Sequence, residues 1–125
     1  MNRAFLPLAK SLLVALLAVS GLTGQTYAAE EQAAAKADPA KGEALYTNGD
    51  AGRNIPACAG CHSPNGAGIP NQYPRLAGQY QDYTAAQLIN FRTGARKNSV
   101  QMVTIAKRMS DDEMKAVADY VAGLK

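Results

Sequence analysis

The chain has two cysteines and one histidine, and all three lie within five residues, Cys58-Ala59-Gly60-Cys61-His62. Two thiols at this spacing, followed directly by an imidazole, form the arrangement that captures both vinyl groups of a haem as thioethers while the histidine binds the iron. Cys58 and Cys61 are therefore the expected covalent attachment points, and His62 the expected axial ligand, of one haem c. A thioredoxin-type redox pair needs a strand before it and a helix continuing through it. Here the approach is Asn48-Gly49-Asp50-Ala51-Gly52-Arg53-Asn54 and the exit is Ser63-Pro64-Asn65-Gly66-Ala67-Gly68. A structural zinc usually takes four sulfur or nitrogen ligands, more than this chain offers.

With a single histidine, bis-histidine ligation within one chain is excluded. The sixth position falls to a methionine, a weaker group or nothing, and downstream of the leader the methionines are Met102, Met109 and Met114. Two of them have packing tasks. Ser110 followed by Glu113 is a capping box, which makes Met109 and Met114 the pair of a hydrophobic staple. Met102 has no such task and lies in a stretch, Ala95 to Lys107, whose composition predicts mostly loop; its thioether is a soft donor on a flexible side chain.

The elements that must hold these residues read as helices. Asp38 and Pro39 are an N-cap and first helical residue, opening a helix through Tyr46 that stops at Asn48-Gly49. Gly42 inside it predicts close approach of another helix. The last helix starts at Ser110, carries Asp111 and Asp112 in its first turn, buries Met114, Val117, Ala118 and Val121 on one face, and ends at Gly123. Tyr120 borders that face and is expected beside Gly42 and Tyr46. A third helix is predicted from about Gln79 to Thr93, through Tyr80, Tyr83, Gln87, Leu88 and Phe91, with Gly94 as its stop. Ser63 to Gly78, with Pro70, Pro74 and several glycines, reads as loop. No alternation is long enough for a sheet.

Residues 1–28 combine Arg3 and Lys10, an apolar run from Ser11 to Leu22, and Thr26-Tyr27-Ala28 before Ala29, the pattern of a secretory signal peptide cleaved near Ala28/Ala29. The apolar run is shorter than the approximately 20 residues of a spanning helix, which makes a retained anchor the lesser alternative. Residues 29–37 read as a flexible tail and 38–125 as one small domain, whose marginal core a haem would complete. Thirteen basic residues face ten acidic ones; without Arg3 and Lys10 the balance is eleven to ten. That near neutrality excludes a nucleic-acid binder. Arg75, Arg92, Arg96, Lys97, Lys107 and Arg108 do gather after the haem motif, and a locally positive docking face is one expectation for them.

Together, Asp38-Pro39-Ala40-Lys41-Gly42-Glu43-Ala44-Leu45-Tyr46, Ile55-Pro56-Ala57-Cys58-Ala59-Gly60-Cys61-His62, Pro74-Arg75-Leu76-Ala77-Gly78-Gln79, Met109-Ser110-Asp111 and Ala118-Asp119-Tyr120 resemble a class I c-type cytochrome, of the single-haem cytochrome c553 and cytochrome c4-like kind. Ser63-Pro64 departs from the pattern, which often has glycine after the histidine. The resemblance implies an all-α fold, with N- and C-terminal helices crossing and the haem in a crevice closed by loops. It places the sixth ligand at Met102, and implies that the Pro74 carbonyl orients the His62 ring. It further implies a soluble periplasmic electron carrier, not an enzyme, with one covalent haem c and its iron in His/Met ligation. Such a carrier of the respiratory chain takes electrons from a donor such as a quinol-cytochrome c reductase or dehydrogenase. It gives them to an acceptor such as a terminal oxidase or reductase, and touches membrane complexes only transiently. The competing readings are an open-site haem enzyme or gas-binding domain, and a haem-bearing subunit of a larger oxidase or dehydrogenase complex.

Overall fold

The computed structural model describes residues 37–125; the expected signal peptide and nearly all of the expected tail lie outside them. Five α-helices follow in order, α1 (Pro39–Asn48), α2 (Ala59–His62), α3 (Gln81–Thr93), α4 (Val100–Ala106) and α5 (Asp111–Gly123), with a 3-10 turn at Ala51–Arg53. Among the described residues no β-strand forms; pairing is confined to isolated bridges between Asp50 and Ile55 and between Ile69 and Tyr73. No helix there is long and apolar enough to cross a membrane.

Local chemistry sets both ends of α1. The Asp38 carboxylate accepts from the amides of Ala40 and Lys41 at 3.0 and 3.3 Å, satisfying donors that the first turn leaves unpaired. Gly49 closes the helix in a positive-φ conformation, its amide donating to the Leu45 carbonyl at 2.9 Å. In α5 the expected capping box is present in both directions: the Glu113 amide donates to Ser110 Oγ at 3.3 Å, and the Ser110 amide to Glu113 Oε2 at 2.8 Å. Met109 and Met114 are both buried in the central apolar cluster, as a staple requires.

Helices α1 and α5 pack on each other more extensively than any other pair. The reason is visible at Gly42, where any Cβ would run into the Ala116 carbonyl and come within 3.2 Å of Tyr120 Cβ. Tyr46, fully buried, packs its ring 5.3 Å from that of Tyr120 at 50°. Met114, Val117, Ala118 and Val121 are all buried, the face that the periodicity marked. Helix α5 runs through Gly123 and is capped at Leu124, whose amide donates to Val121 O at 3.2 Å. Gly123 is thus the last helical residue and not a stop beyond it.

Two expectations need correcting. The segment predicted as loop contains α4, a seven-residue helix started by Ser99, whose hydroxyl accepts from the Met102 amide at 3.2 Å. Val100, Val103, Thr104 and Ile105 are β-branched and favour helix poorly, so packing against α3 and burial of Ala106 must hold it. In α3 the buried stripe is Thr84, Leu88 and Phe91, while Tyr80 and Tyr83 are 82% and 50% exposed. Tyr80 precedes the helix as an extended N-cap residue, and Tyr83 lies about 100° around the helix from Thr84.

Candidate haem site

Cys58, Cys61 and His62 are brought onto a single helical turn. The His62 amide donates to the Cys58 carbonyl at 2.9 Å, and the Cys61 amide to the same carbonyl at 3.2 Å, which winds both thiols and the imidazole into α2. Both cysteines are free thiols. Burial pushes the Cys58 thiol up to about 11, the opposite of the lowered thiol of a redox-active pair.

His62 is buried, and its Nδ1 lies 2.9 Å from the Pro74 carbonyl oxygen. A carbonyl only accepts, so Nδ1 carries the proton and donates, leaving the Nε2 lone pair as the free donor for a metal. The loop that brings Pro74 there depends on Gly68. With φ at 72° it sits in the left-handed region, and a Cβ would fall 2.6 Å from the Pro74 carbonyl carbon. The Gly68 amide also donates to the His62 carbonyl at 2.8 Å, and Ser63 Oγ to the Gly68 carbonyl at 3.1 Å. Tyr73 lies edge to face with the imidazole, the ring centroids 6.1 Å apart.

Ser63, at the departure from the family pattern, has φ 70° and ψ 150°, a region almost confined to glycine. Tyr46 holds it there: the phenol donates to the Ser63 carbonyl at 2.6 Å. Burial is the main reason this phenol is pushed up to about 12, so it remains a donor at any ordinary pH. Tyr46 and Gly68 were not legible as parts of the site. The clue to Gly68 was the Gly66-Ala67-Gly68 spacing, whose two glycines both have positive φ.

Met102 is partly buried against the apolar cluster, on α4. Helices α2 and α4 do not pack on one another. His62 and Met102, the two expected axial ligands, thus lie on different helices. The donor set suits a haem: two thiols and an imidazole with Nε2 free on one turn, and a partly buried thioether on another element. Met109 and Met114, 5% and 0% exposed, are committed to the core. A depression of about 360 Å³ bounded by Asn48, Ala51, Asn54, Ile55 and Pro56 contains none of these donors.

The basic cluster is partly engaged in contacts within the fold. Arg92 pairs with Asp111 at 2.6 Å, Arg108 donates to the Asn54 carbonyl at 2.8 Å, Arg75 to the Ala77 carbonyl at 3.3 Å, and Arg96 to Gln87 Oε1 at 2.9 Å. Among the described residues, only Arg92 of the six is paired with a carboxylate, and Arg75, Lys97, Lys107 and Arg108 are exposed.

The cytochrome c family profile matches residues 39–125. Cytochrome c4 of Azotobacter vinelandii is 47% identical over 87 residues, covering 66% of this chain and 41% of the relative. A protein of Stutzerimonas stutzeri named thiosulfate dehydrogenase electron acceptor is 47% identical over 85 residues, covering 66% of this chain and 39% of the relative. The crystal structure of reduced recombinant cytochrome c4 from Pseudomonas stutzeri superposes with a TM-score of 0.65 at 41% identity, over 71% of this chain and 50% of that one. The chain therefore spans half or less of the length of these relatives. The helical fold, the thiol and imidazole arrangement and these matches agree, and the chain belongs to the cytochrome c family, whose prosthetic group is covalently bound haem c.

Proposed function

We propose that this chain is a periplasmic carrier of single electrons between respiratory redox partners, with haem c held by Cys58 and Cys61 and ligated by His62 and Met102. The observation that carries the reading is the hydrogen bond from His62 Nδ1 to the Pro74 carbonyl at 2.9 Å. It supports an axial role for the chain's one imidazole, and the sequence offers no second histidine for the acid–base work that peroxide chemistry requires. The chemistry supplied by the bound haem is a one-electron change of iron valence. The protein's part is to hold still: the Pro74 carbonyl fixes the imidazole plane and raises its basicity, while Met102 as a neutral thioether favours the reduced metal and closes the site to substrates. Residues 1–28, read as a signal peptide, support export, with residues 38–125 as the working domain.

A dehydrogenase as electron donor is favoured by the likeness to the thiosulfate dehydrogenase electron acceptor. The open-site alternative is separated from the carrier by carbon monoxide. The reduced native carrier should resist it; rapid binding would make the protein a gas-binding or peroxide-handling domain instead.

A further inference from the structure

We propose that Arg96 is a positioning residue for the sixth haem ligand, a role that rests on the reading of Met102 as that ligand. Arg96 lies in the link between α3 and α4, where its charge suggests a solvent or docking residue. Its contacts run back to α3 and forward to Asn98. The guanidinium stands 4.6 Å over the Phe91 ring, Nη1 donates to Gln87 Oε1 at 2.9 Å, and Nε donates to Asn98 Oδ1 at 3.0 Å. Its own amide donates to the Asn90 carbonyl at 3.0 Å.

Phe91, Gln87 and Asn90 belong to α3; Asn98 is the residue before Ser99. Ser99 is the N-cap of α4, and the amide its hydroxyl accepts from is that of Met102, at 3.2 Å. Arg96 thereby ties α3 to the residue next to the cap, and the Ser99 hydroxyl ties the cap to the ligand's own backbone. The tie matters because α4 has seven residues, too few to be stable alone, and four are β-branched. A planar fork suits the site best, since the guanidinium stands over Phe91 and donates to Gln87 and Asn98 from separate nitrogens, where a lysine has one.

Releasing the tie should raise the fraction of molecules in which Met102 has left the iron, and an added ligand for the open position should bind more tightly in proportion. The test is titration of the oxidised haem-loaded protein with imidazole, followed optically, in wild type, Arg96→Met, Arg96→Lys, Met102→Ala and Ser110→Ala. Arg96→Met should bind imidazole about tenfold more tightly than wild type, the loss of a stacked cation and two hydrogen bonds being of that order. Arg96→Lys should fall between them, and Met102→Ala should bind most tightly. Ser110→Ala destabilises α5 without touching this link and should match wild type. Equal affinity in wild type and Met102→Ala would overturn the Met102 reading and this proposal with it. Tight binding by Met102→Ala with no change in Arg96→Met would overturn the Arg96 role alone. A tenfold gain in Ser110→Ala would also overturn it, by making the effect one of general instability.

Discussion

The hydroxyl of Tyr46 donates to the carbonyl of Ser63 at 2.6 Å, which ties the fully buried aromatic of the first helix to the residue directly after His62. Through this bond the α1–α5 crossing and the loop carrying Pro74 form one structure. The helix crossing and the backbone next to His62 are therefore linked.

Tyr46→Phe keeps the ring contact with Tyr120 and removes only the donor. The part-buried Ser63 carbonyl loses its partner, and stability measured by denaturant unfolding should fall by about 1–2 kcal/mol. A change near zero would mean that the loop is held by its other contacts alone.

Ser63 provides a comparison in which the usual order of side chains reverses. Ser63→Ala and Ser63→Gly both remove the hydroxyl that bonds to Gly68, but only alanine keeps a Cβ at φ 70° and ψ 150°. Relief of strain at such a position is of order 1–3 kcal/mol and exceeds the entropy disadvantage of glycine, so the glycine variant should be the more stable by about 1 kcal/mol. Equal stabilities would show the backbone there to be unstrained.

At Gly42 the sign is decided by magnitudes. Alanine gains about 1 kcal/mol of helix preference, but its methyl would meet the Ala116 carbonyl, a backbone atom that moves only with α5. Forced separation of packed helices typically costs about 1–3 kcal/mol or more, so Gly42→Ala should be net destabilising in thermal unfolding.

The Arg53–Glu113 contact gives the fold an acid limit. Arg53 Nη2 and Nη1 donate to the two carboxylate oxygens at 2.6 and 3.0 Å, and Glu113 also receives the Ser110 amide. Chiefly through Arg53, the Glu113 carboxyl falls from an ordinary 4.5 to about 2. A carboxylate depressed in the folded state contributes stability above its unfolded value and loses it as pH falls through the folded one, here between about 4.5 and 2. Glu113→Gln should cost about 2 kcal/mol at neutral pH, and its difference from wild type should shrink across that window. A difference independent of pH would remove the charge from the explanation.

What the sequence revealed and what it concealed divide along physical lines. Asp38 with Pro39, Ser110 with Glu113, and Gly94 signal helix ends because capping is local chemistry between residues two to four apart. The Cys58, Cys61 and His62 cluster was legible for the same reason. Helix α4 was not, because Val100, Val103, Thr104 and Ile105 argue against helix locally and the α3 surface that supports them is a tertiary fact. Glu113 was visible as half of a capping box but not as the partner of Arg53, sixty residues away. Nor did anything in the sequence announce that the Tyr46 phenol would reach Ser63.

The choice between a closed electron carrier and an open haem site turns on whether a thioether occupies the sixth position, and the weak near-infrared sulfur-to-iron charge-transfer band of the oxidised protein reports it directly. The band should be present in wild type, abolished in Met102→Ala, and retained in Met109→Leu and Met114→Leu, near-isosteric core changes that typically cost under about 1.5 kcal/mol. Loss of the band in Met102→Ala should come with a lower potential and with carbon monoxide binding. A band that survives Met102→Ala and disappears in Met109→Leu would contradict the account, moving the ligand to a residue assigned to the core.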